Sequence, residues 1–447
     1  MIATSTDKAL VEFVAGLSLG DVPGPTRARL GLLLADMAAV STAGRPAPAS
    51  AMAAGYAATA HPGAEATLLV DGRRVGAVGA AFANGVLANV LDFDDGHRLT
   101  KGHPGAVIIP ATLAVAQRVN ASVAQWLEAV VVGYEVAIRA GIALHDRDAS
   151  YHASGAWGGV GAAVAAARLL ALDGSATLAA AGLAEYHAPI AHIMRSCAEP
   201  QMTKDACAWG AAVGVSSALL AAQGFTSVRP EFLDSELDDL GGRWRLEELY
   251  VKAYPCCRWS QGAIAAVMEA TGGRTLTPGD VRRVQVRTFA AADGLAKVVP
   301  ETTEEAQYSL LWPVACALTR GRFGVPEVLG PFGDVDIRAM FERVEIEVDP
   351  VLTAQFPHRR LTAVEIELID GERLAAGPLE AAGEPDDPRL PAVVRSKVSE
   401  LIGPSQLGEP AGRAPISRHD IGVRLAELGP EQLLGIMCHA GTVLGDA

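Results

Sequence analysis

Long apolar runs with helical spacing dominate the first 270 residues. Segments 10–19, 27–43, 78–95, 106–118, 123–144, 157–172 and 206–222 are rich in Ala, Leu and Val and are bounded by Gly, Pro, Asp or Asn. Several are apolar nearly all round, as helices packed inside a large bundle are. Segment 65–75 holds two short alternating runs about Asp71-Gly72, a hairpin signal. After Gly272 the pattern changes. Segments 281–288, 343–349 and 361–369 alternate apolar and polar, which predicts half-buried strands, and Asp370-Gly371 reads as a hairpin turn. Helical patterns at 303–318 and 336–341 lie between the strands, and 390–402 and 421–439 return to helix. The pattern predicts a mainly α protein: a large all-helical domain plus a smaller α+β domain.

Composition sharpens this picture. The chain has 447 residues, long enough for two domains; half are hydrophobic but only 5% aromatic. Small side chains therefore carry the core, and they let helices approach closely. With 37 Lys+Arg against 51 Asp+Glu the net charge is −14, which excludes nucleic acid as the main partner. Cys197, Cys207, Cys256, Cys257, Cys316 and Cys438 form no C-x-x-C pair and no Cys/His cluster of zinc type. The first twenty residues carry no basic region before an apolar stretch, so no signal peptide is expected. The uncharged run 206–223 contains Gly, Ser and Trp and reads as a buried helix, not a membrane span. A cytoplasmic protein with reduced thiols is the expectation.

The chemistry-bearing signal is electrostatic. Carboxylates are unfavourable at a helix C-terminus, yet the helix at 78–95 is predicted to end in Asp92-Phe93-Asp94-Asp95, with Gly96 past its end and His97 beyond. In a helix Asp92 and Asp95 would share a face. His103 precedes Pro104, which suits a first helical position and sets the imidazole at a positive helix end. His152 stands before another apolar helix. Lys204 opens the helix at 206, and Lys252 and Arg258 precede or open the helix at 259–270. Cations at a helix N-terminus are unfavourable unless an anion binds there, so these positions read as carboxylate or phosphate receptors. Dinucleotide, P-loop, H-E-x-x-H and G-x-S-x-G motifs are absent. What remains is an acid–base site without a metal, suited to removing a proton next to a carboxylate.

An ordered set of short motifs carries a resemblance over nearly the whole chain: Ala81-Phe82-Ala83-Asn84-Gly85, Leu91-Asp92-Phe93-Asp94-Asp95, His103-Pro104-Gly105, Tyr151-His152 to Gly155, Met202-Thr203-Lys204, Lys252 to Arg258, and Ala306-Gln307-Tyr308-Ser309-Leu310. In these the sequence resembles the MmgE/PrpD family, which includes 2-methylcitrate dehydratase, cis-aconitate decarboxylase and iminodisuccinate epimerase. The resemblance implies a helical domain (1–271 completed by 398–447), an α+β lid (272–397), a homodimer, a site between the domains, and no cofactor. It carries Asp92, His103, His152, Lys204 and Lys252 onto active-site positions, with His97 adjoining. Gly96 stands where many members have Thr, Gln261 where many have His, and Trp312 where Tyr is frequent.

The expected function is a cofactor-independent lyase on a small polycarboxylate, dehydrating a 2-methylcitrate-like hydroxy acid. His103 is the expected base, His152 the acid for the leaving hydroxyl, and Asp92 the partner that orients an imidazole. Lys204 and Lys252 stabilise developing charge, and Asp95, His97, Arg258, Gln261 and Tyr308 bind substrate. Decarboxylation of a cis-aconitate-like acid and epimerisation of an iminodisuccinate-like acid are the alternatives, with a non-catalytic polycarboxylate-binding homologue as a third.

Overall fold

The computed structural model describes residues 4–402 apart from 236, 238 and 331. The helix expected at 421–439 lies outside them. The described chain is largely helical with a smaller α+β region, as the pattern predicts.

The helical part is built on Gly24–Gly44, Ala77–Asn89, Gly105–Val119, Val123–Arg147, Ser154–Leu169 and Cys207–Ala222. Two further helices, Pro48–Ala60 and Gly174–Tyr186, are Ala-rich segments that the apolar pattern did not single out. Ser154–Leu169 is the central helix and packs against Val123–Arg147, Gly105–Val119 and Cys207–Ala222. Its glycines explain the closeness of that packing. A Cβ on Gly161 would lie 2.4 Å from the Gly133 carbonyl oxygen, and one on Gly155 would lie 2.1 Å from that of Ala206. The predicted hairpin forms, with Ala66–Thr67 antiparallel to Arg74–Val75. No helix among the described residues is long and apolar enough to cross a membrane.

The α+β part holds a four-stranded sheet ordered Val344–Val348, Val281–Thr288, Thr362–Leu368, Arg373–Leu379. The first pair is parallel and the others antiparallel. All three predicted strands are present, and Gly371 makes the turn between the last two with φ 95°. Helix Arg258–Thr271 packs against this sheet and against Leu311–Arg320. Helix Leu390–Leu401 returns to pack on Gly24–Gly44.

Two breaks correct the sequence reading, and both build the site. Segment 303–318 is two helices, Thr303–Gln307 and Leu311–Arg320. Pro313 has no N–H to give the Ser309 carbonyl, which accepts the Ser260 hydroxyl at 2.8 Å instead. The helix expected to reach Asp95 stops at Asn89. The chain then turns, with Asp92 at φ 50°, a left-handed conformation that Asp tolerates. The three carboxylates thereby leave the negative end of the helix rather than extend it. Asp92 and Asp95 consequently share no helical face, and Gly96 lies in a short strand paired with Tyr250.

Gly161→Ala is expected to lower stability by about 2 kcal/mol, although Ala is normally the better helix residue, because overpacking outweighs propensity here. Urea denaturation followed by tryptophan fluorescence checks it, and an unchanged midpoint would contradict the close packing.

Candidate active site

Asp92, His103, Tyr151, Asp205, Tyr250, Lys252, Arg258, Tyr308, Lys101 and Arg360 line one cavity between the helical part and the sheet domain, with Cys197 and Cys257 on its wall. Its volume is about 40 Å³, room for about three waters at 10–15 Å³ each.

The turn after Asn89 organises the centre. Lys252, 1% exposed, donates to the Asp92 carbonyl at 2.8 Å and lies 2.9 Å from the Asp92 carboxylate. Burial alone would push Asp92 up, but Lys252, Lys204 and His103 hold it well below the usual carboxylate range. Burial would likewise lower Lys252, but Asp92 and Asp94 hold it above the usual lysine value. Both groups are therefore charged at neutral pH.

His103 is aimed by its surroundings. Its backbone N–H donates to the Ser154 hydroxyl at 2.9 Å. Its Nδ1 lies 2.7 Å from the Asp95 carbonyl. A carbonyl can only accept, so Nδ1 carries a hydrogen. Nε2 lies 3.4 Å from the Asp92 carboxylate. Asp92, Asp94 and His103 offer donor atoms within 4.8 Å of one another, the spacing of a cation site. Asp92 already faces the Lys252 ammonium, and Asp94 accepts from Asn89 at 3.0 Å.

Other predicted residues take different places. Asp95 is buried, accepts from the Tyr134 hydroxyl at 2.6 Å and the Gly105 N–H at 3.0 Å, and reaches the site only through its carbonyl. Burial pushes its carboxyl up to about 7, against the pull of Tyr134. His97 pairs with Glu248 at 3.2 Å in a separate cleft. Lys204 donates to Gln307 and faces a neighbouring pocket of about 300 Å³ lined by Phe82, Trp209 and Glu304. His152 sits between His145 and His192, with ring centroids 5.6 and 5.5 Å away, and neither of its ring nitrogens makes a hydrogen bond. The nearest charge is the Asp148 carboxylate, 3.2 Å from Nε2. His152 does not line the cavity, but its neighbour Tyr151 does.

Arg258 and Gln261, expected to hold substrate, hold each other. The Arg258 guanidinium donates to Glu384, Gln261 and the Ala381 and Ala382 carbonyls. Gln261 also accepts from the Ala253 N–H and donates to the Tyr254 and Cys256 carbonyls. It is fully buried and has no free atom. Trp312 is a core residue whose indole donates to the Glu327 carbonyl. Gly96 leaves room for another group: a Cβ there would lie 2.3 Å from the Tyr250 hydroxyl. Tyr250 thus brings a hydroxyl to the place that the glycine vacates. Tyr308 does line the cavity, and its hydroxyl donates to Asp205 at 2.8 Å.

The sequence reading missed Lys101, Arg360, Tyr250 and Asp205. Lys101 adjoins His103 in Thr100-Lys101-Gly102-His103 and could have been found by proximity. Arg360 precedes a strand of the other domain, and no local pattern points it at this cavity. The described cysteines are all free; burial pushes Cys257 up to about 12, so it stays a thiol.

A mainly helical protein with a smaller α+β region and an acid–base cavity between them is the class that fold and site define. The chain belongs to the MmgE/PrpD family: residues 8–237 match the MmgE/PrpD N-terminal domain and residues 254–412 the C-terminal domain. It is 27% identical over 290 residues to the cis-aconitate decarboxylase-like protein oryM of Aspergillus oryzae (58% of this chain, 60% of that protein). To cis-aconitate decarboxylase of Aspergillus terreus it is 21% identical over 327 residues (65% and 66%), and to that of Mus musculus 26% over 302 residues (61% of each). The matches span about 60% of the first relative's length.

Asp92→Asn is expected to destabilise the protein by about 3–5 kcal/mol, because it leaves the Lys252 charge buried and unpaired. Asp92's folded pKa is depressed, so its contribution is present above the unfolded pKa and is lost only as pH falls through the folded value. The gap between wild type and variant should therefore stay constant from roughly pH 5 to 8 in urea denaturation, and Asp92→Asn with Lys252→Met should recover part of it.

Proposed function

We propose that the chain is a lyase acting on a small di- or tricarboxylic acid, and that its reaction is decarboxylation of a cis-aconitate-like acid. The observation that carries this reading is the single imidazole lining the cavity, with Nδ1 tied to a carbonyl and Nε2 directed at the Lys252–Asp92 pair. Decarboxylation breaks one C–C bond, releases CO₂ and leaves the electron pair on the remaining acid as an enolate-like anion. Lys252 stabilises that charge as it develops, and protonated His103 gives the carbon its proton. One proton carrier suffices. The named relatives favour the same chemistry.

Dehydration, the reaction expected from the sequence, needs a base and a separate acid. His152 was assigned the second role but faces His145 and His192. Tyr308 is the observation that keeps dehydration as the second reading. Burial and Asp205 keep its hydroxyl protonated, so it can donate to a leaving hydroxyl. Epimerisation needs two carriers on opposite faces. No step in any of these readings requires a cofactor.

The cavity is too small for a six-carbon acid, so the sheet domain acts as a lid that opens to admit ligand and closes to exclude water. A second copy of the chain is proposed on the exposed apolar face of Pro48–Ala60 and Cys207–Ala222, where Met52, Tyr56 and Trp209 are exposed. Small-angle scattering should give a dimer mass, and a smaller radius of gyration with saturating propane-1,2,3-tricarboxylate. A monomer mass would overturn the dimer, and identical curves the closure.

A panel of di- and tricarboxylates followed by NMR in D₂O tests the reaction. CO₂ release with one deuteron incorporated is the expected outcome. Net loss of water points to dehydration, and exchange without net product to epimerisation. Binding without turnover across the panel would sink the lyase reading. His103→Asn should lower turnover about 10²–10⁴-fold with little change in stability.

A further inference from the structure

The positive charges of the cavity are unevenly committed. Lys252 is paired with Asp92, and Arg258 has its donors filled within the protein. Arg360 is different. It is 5% exposed, touches Glu384 only through Nη1 at 3.4 Å, and its Nε is buried with no hydrogen-bond partner. Glu384 is already shared, with Arg258 at 2.7 Å and Arg98 at 2.7 Å. Three guanidinium groups thus share the Glu384 carboxylate, and only Arg98 reaches a second one, the exposed Asp386, which leaves an excess of positive charge at Arg360. Lys101 adds to it. Its ammonium lies 3.7 Å over the Tyr151 ring, and no carboxylate among the described residues lies within 4.0 Å of it.

Arg360 and Lys101 come from different parts of the fold, the first from the segment leading into the strand Thr362–Leu368 of the lid, the second from the segment before His103. Both line the cavity. A buried cation without a counter-ion is unfavourable, and a cation pair more so. An Arg fork and a Lys point charge together match a carboxylate.

We propose that Lys101 and Arg360 jointly receive one carboxylate of the ligand, away from the Lys252–Asp92 pair, so that the site selects acids with at least two carboxylates and the lid is held shut by the ligand's own charge. The ligand class rests on the lyase reading above; the subsite does not. A monocarboxylate that reaches Lys252 leaves Arg360 uncompensated and gives the lid nothing to hold. Ligand binding also moves a proton. Burial and the charge of Arg360 lower Lys101 to about 8. The titratable or charged groups that bear on it are Tyr151, Arg360 and His145, and none is a carboxylate. An arriving carboxylate raises Lys101, so binding near pH 8 takes up a proton, and affinity falls as pH rises further.

Propane-1,2,3-tricarboxylate is the probe, because it has no hydroxyl or double bond to react. Titration calorimetry on the full chain should show its affinity falling at least tenfold in Arg360→Met and in Lys101→Met, with partial recovery in Arg360→Lys. Propionate affinity, read by NMR titration, should change less than twofold. Heats compared in phosphate and Tris buffers at pH 8 should show proton uptake in the wild type and none in Lys101→Met. Variants that keep wild-type affinity for the tricarboxylate, or lose it in proportion to propionate, overturn the proposal. Circular dichroism separates a binding loss from unfolding, and Arg360→Lys keeps the charge should Arg360→Met fail to fold. Dependence of binding on Arg360 and Lys101 with no turnover on any acid would overturn the lyase reading and leave the subsite standing.

Discussion

Everything at the centre of this protein depends on satisfying the open backbone and buried carboxylates of one turn, residues 90–95. A helix that ends inside a protein leaves carbonyls without partners. Here the Val90 carbonyl accepts from Gln307, that of Asp92 from Lys252, that of Phe93 from Lys397, and that of Asp95 from His103. The donors come from four separate stretches of chain. Lys397 also faces Asp36 at 2.6 Å and lies over the Phe93 ring. The turn is therefore held jointly by the segment with Gln307, the Lys252 segment and the last described helix.

This constraint also separates charge that supports the fold from charge left for chemistry. Arg258, Glu384 and Gln261 look like ligand-binding residues but saturate one another. Asp95 and His97 are equally occupied. After these are set aside, His103, Lys252 and the Tyr250 hydroxyl line the cavity beside the proposed Lys101–Arg360 receptor. A net charge of −14 on the whole chain says nothing about this place, where a local excess of cations sits within low-dielectric walls.

The departures from the family pattern find structural reasons. Gly96 makes way for the Tyr250 ring, whose hydroxyl occupies the place a side chain would have taken. Gln261 fastens Arg258 in the cavity wall, and Trp312 is a fully buried core residue. Gln261 and Trp312 are the departures that would point to a non-catalytic homologue. Neither lines the cavity, so neither speaks against catalysis there.

By itself the sequence determined the periodic elements and the residue types of the centre. Apolar runs of helical period, the alternating runs at 281–288, 343–349 and 361–369, and the order of the short motifs are local properties, and local patterns survive folding. Asp92, His103, Lys252 and Tyr308 were legible because they lie in such motifs. Tertiary structure decided where helices stop and which charges are free. Past Asn89, where the helix ends, Gln307 and Lys252 donate to the Val90 and Asp92 carbonyls from more than 150 residues away. Arg258 is committed because Glu384, 126 residues on, folds back against it. Arg360 belongs to the cavity only because the segment leading into the sheet packs there. Compensation of charge is a property of neighbours in space, and no spacing along the chain encodes it.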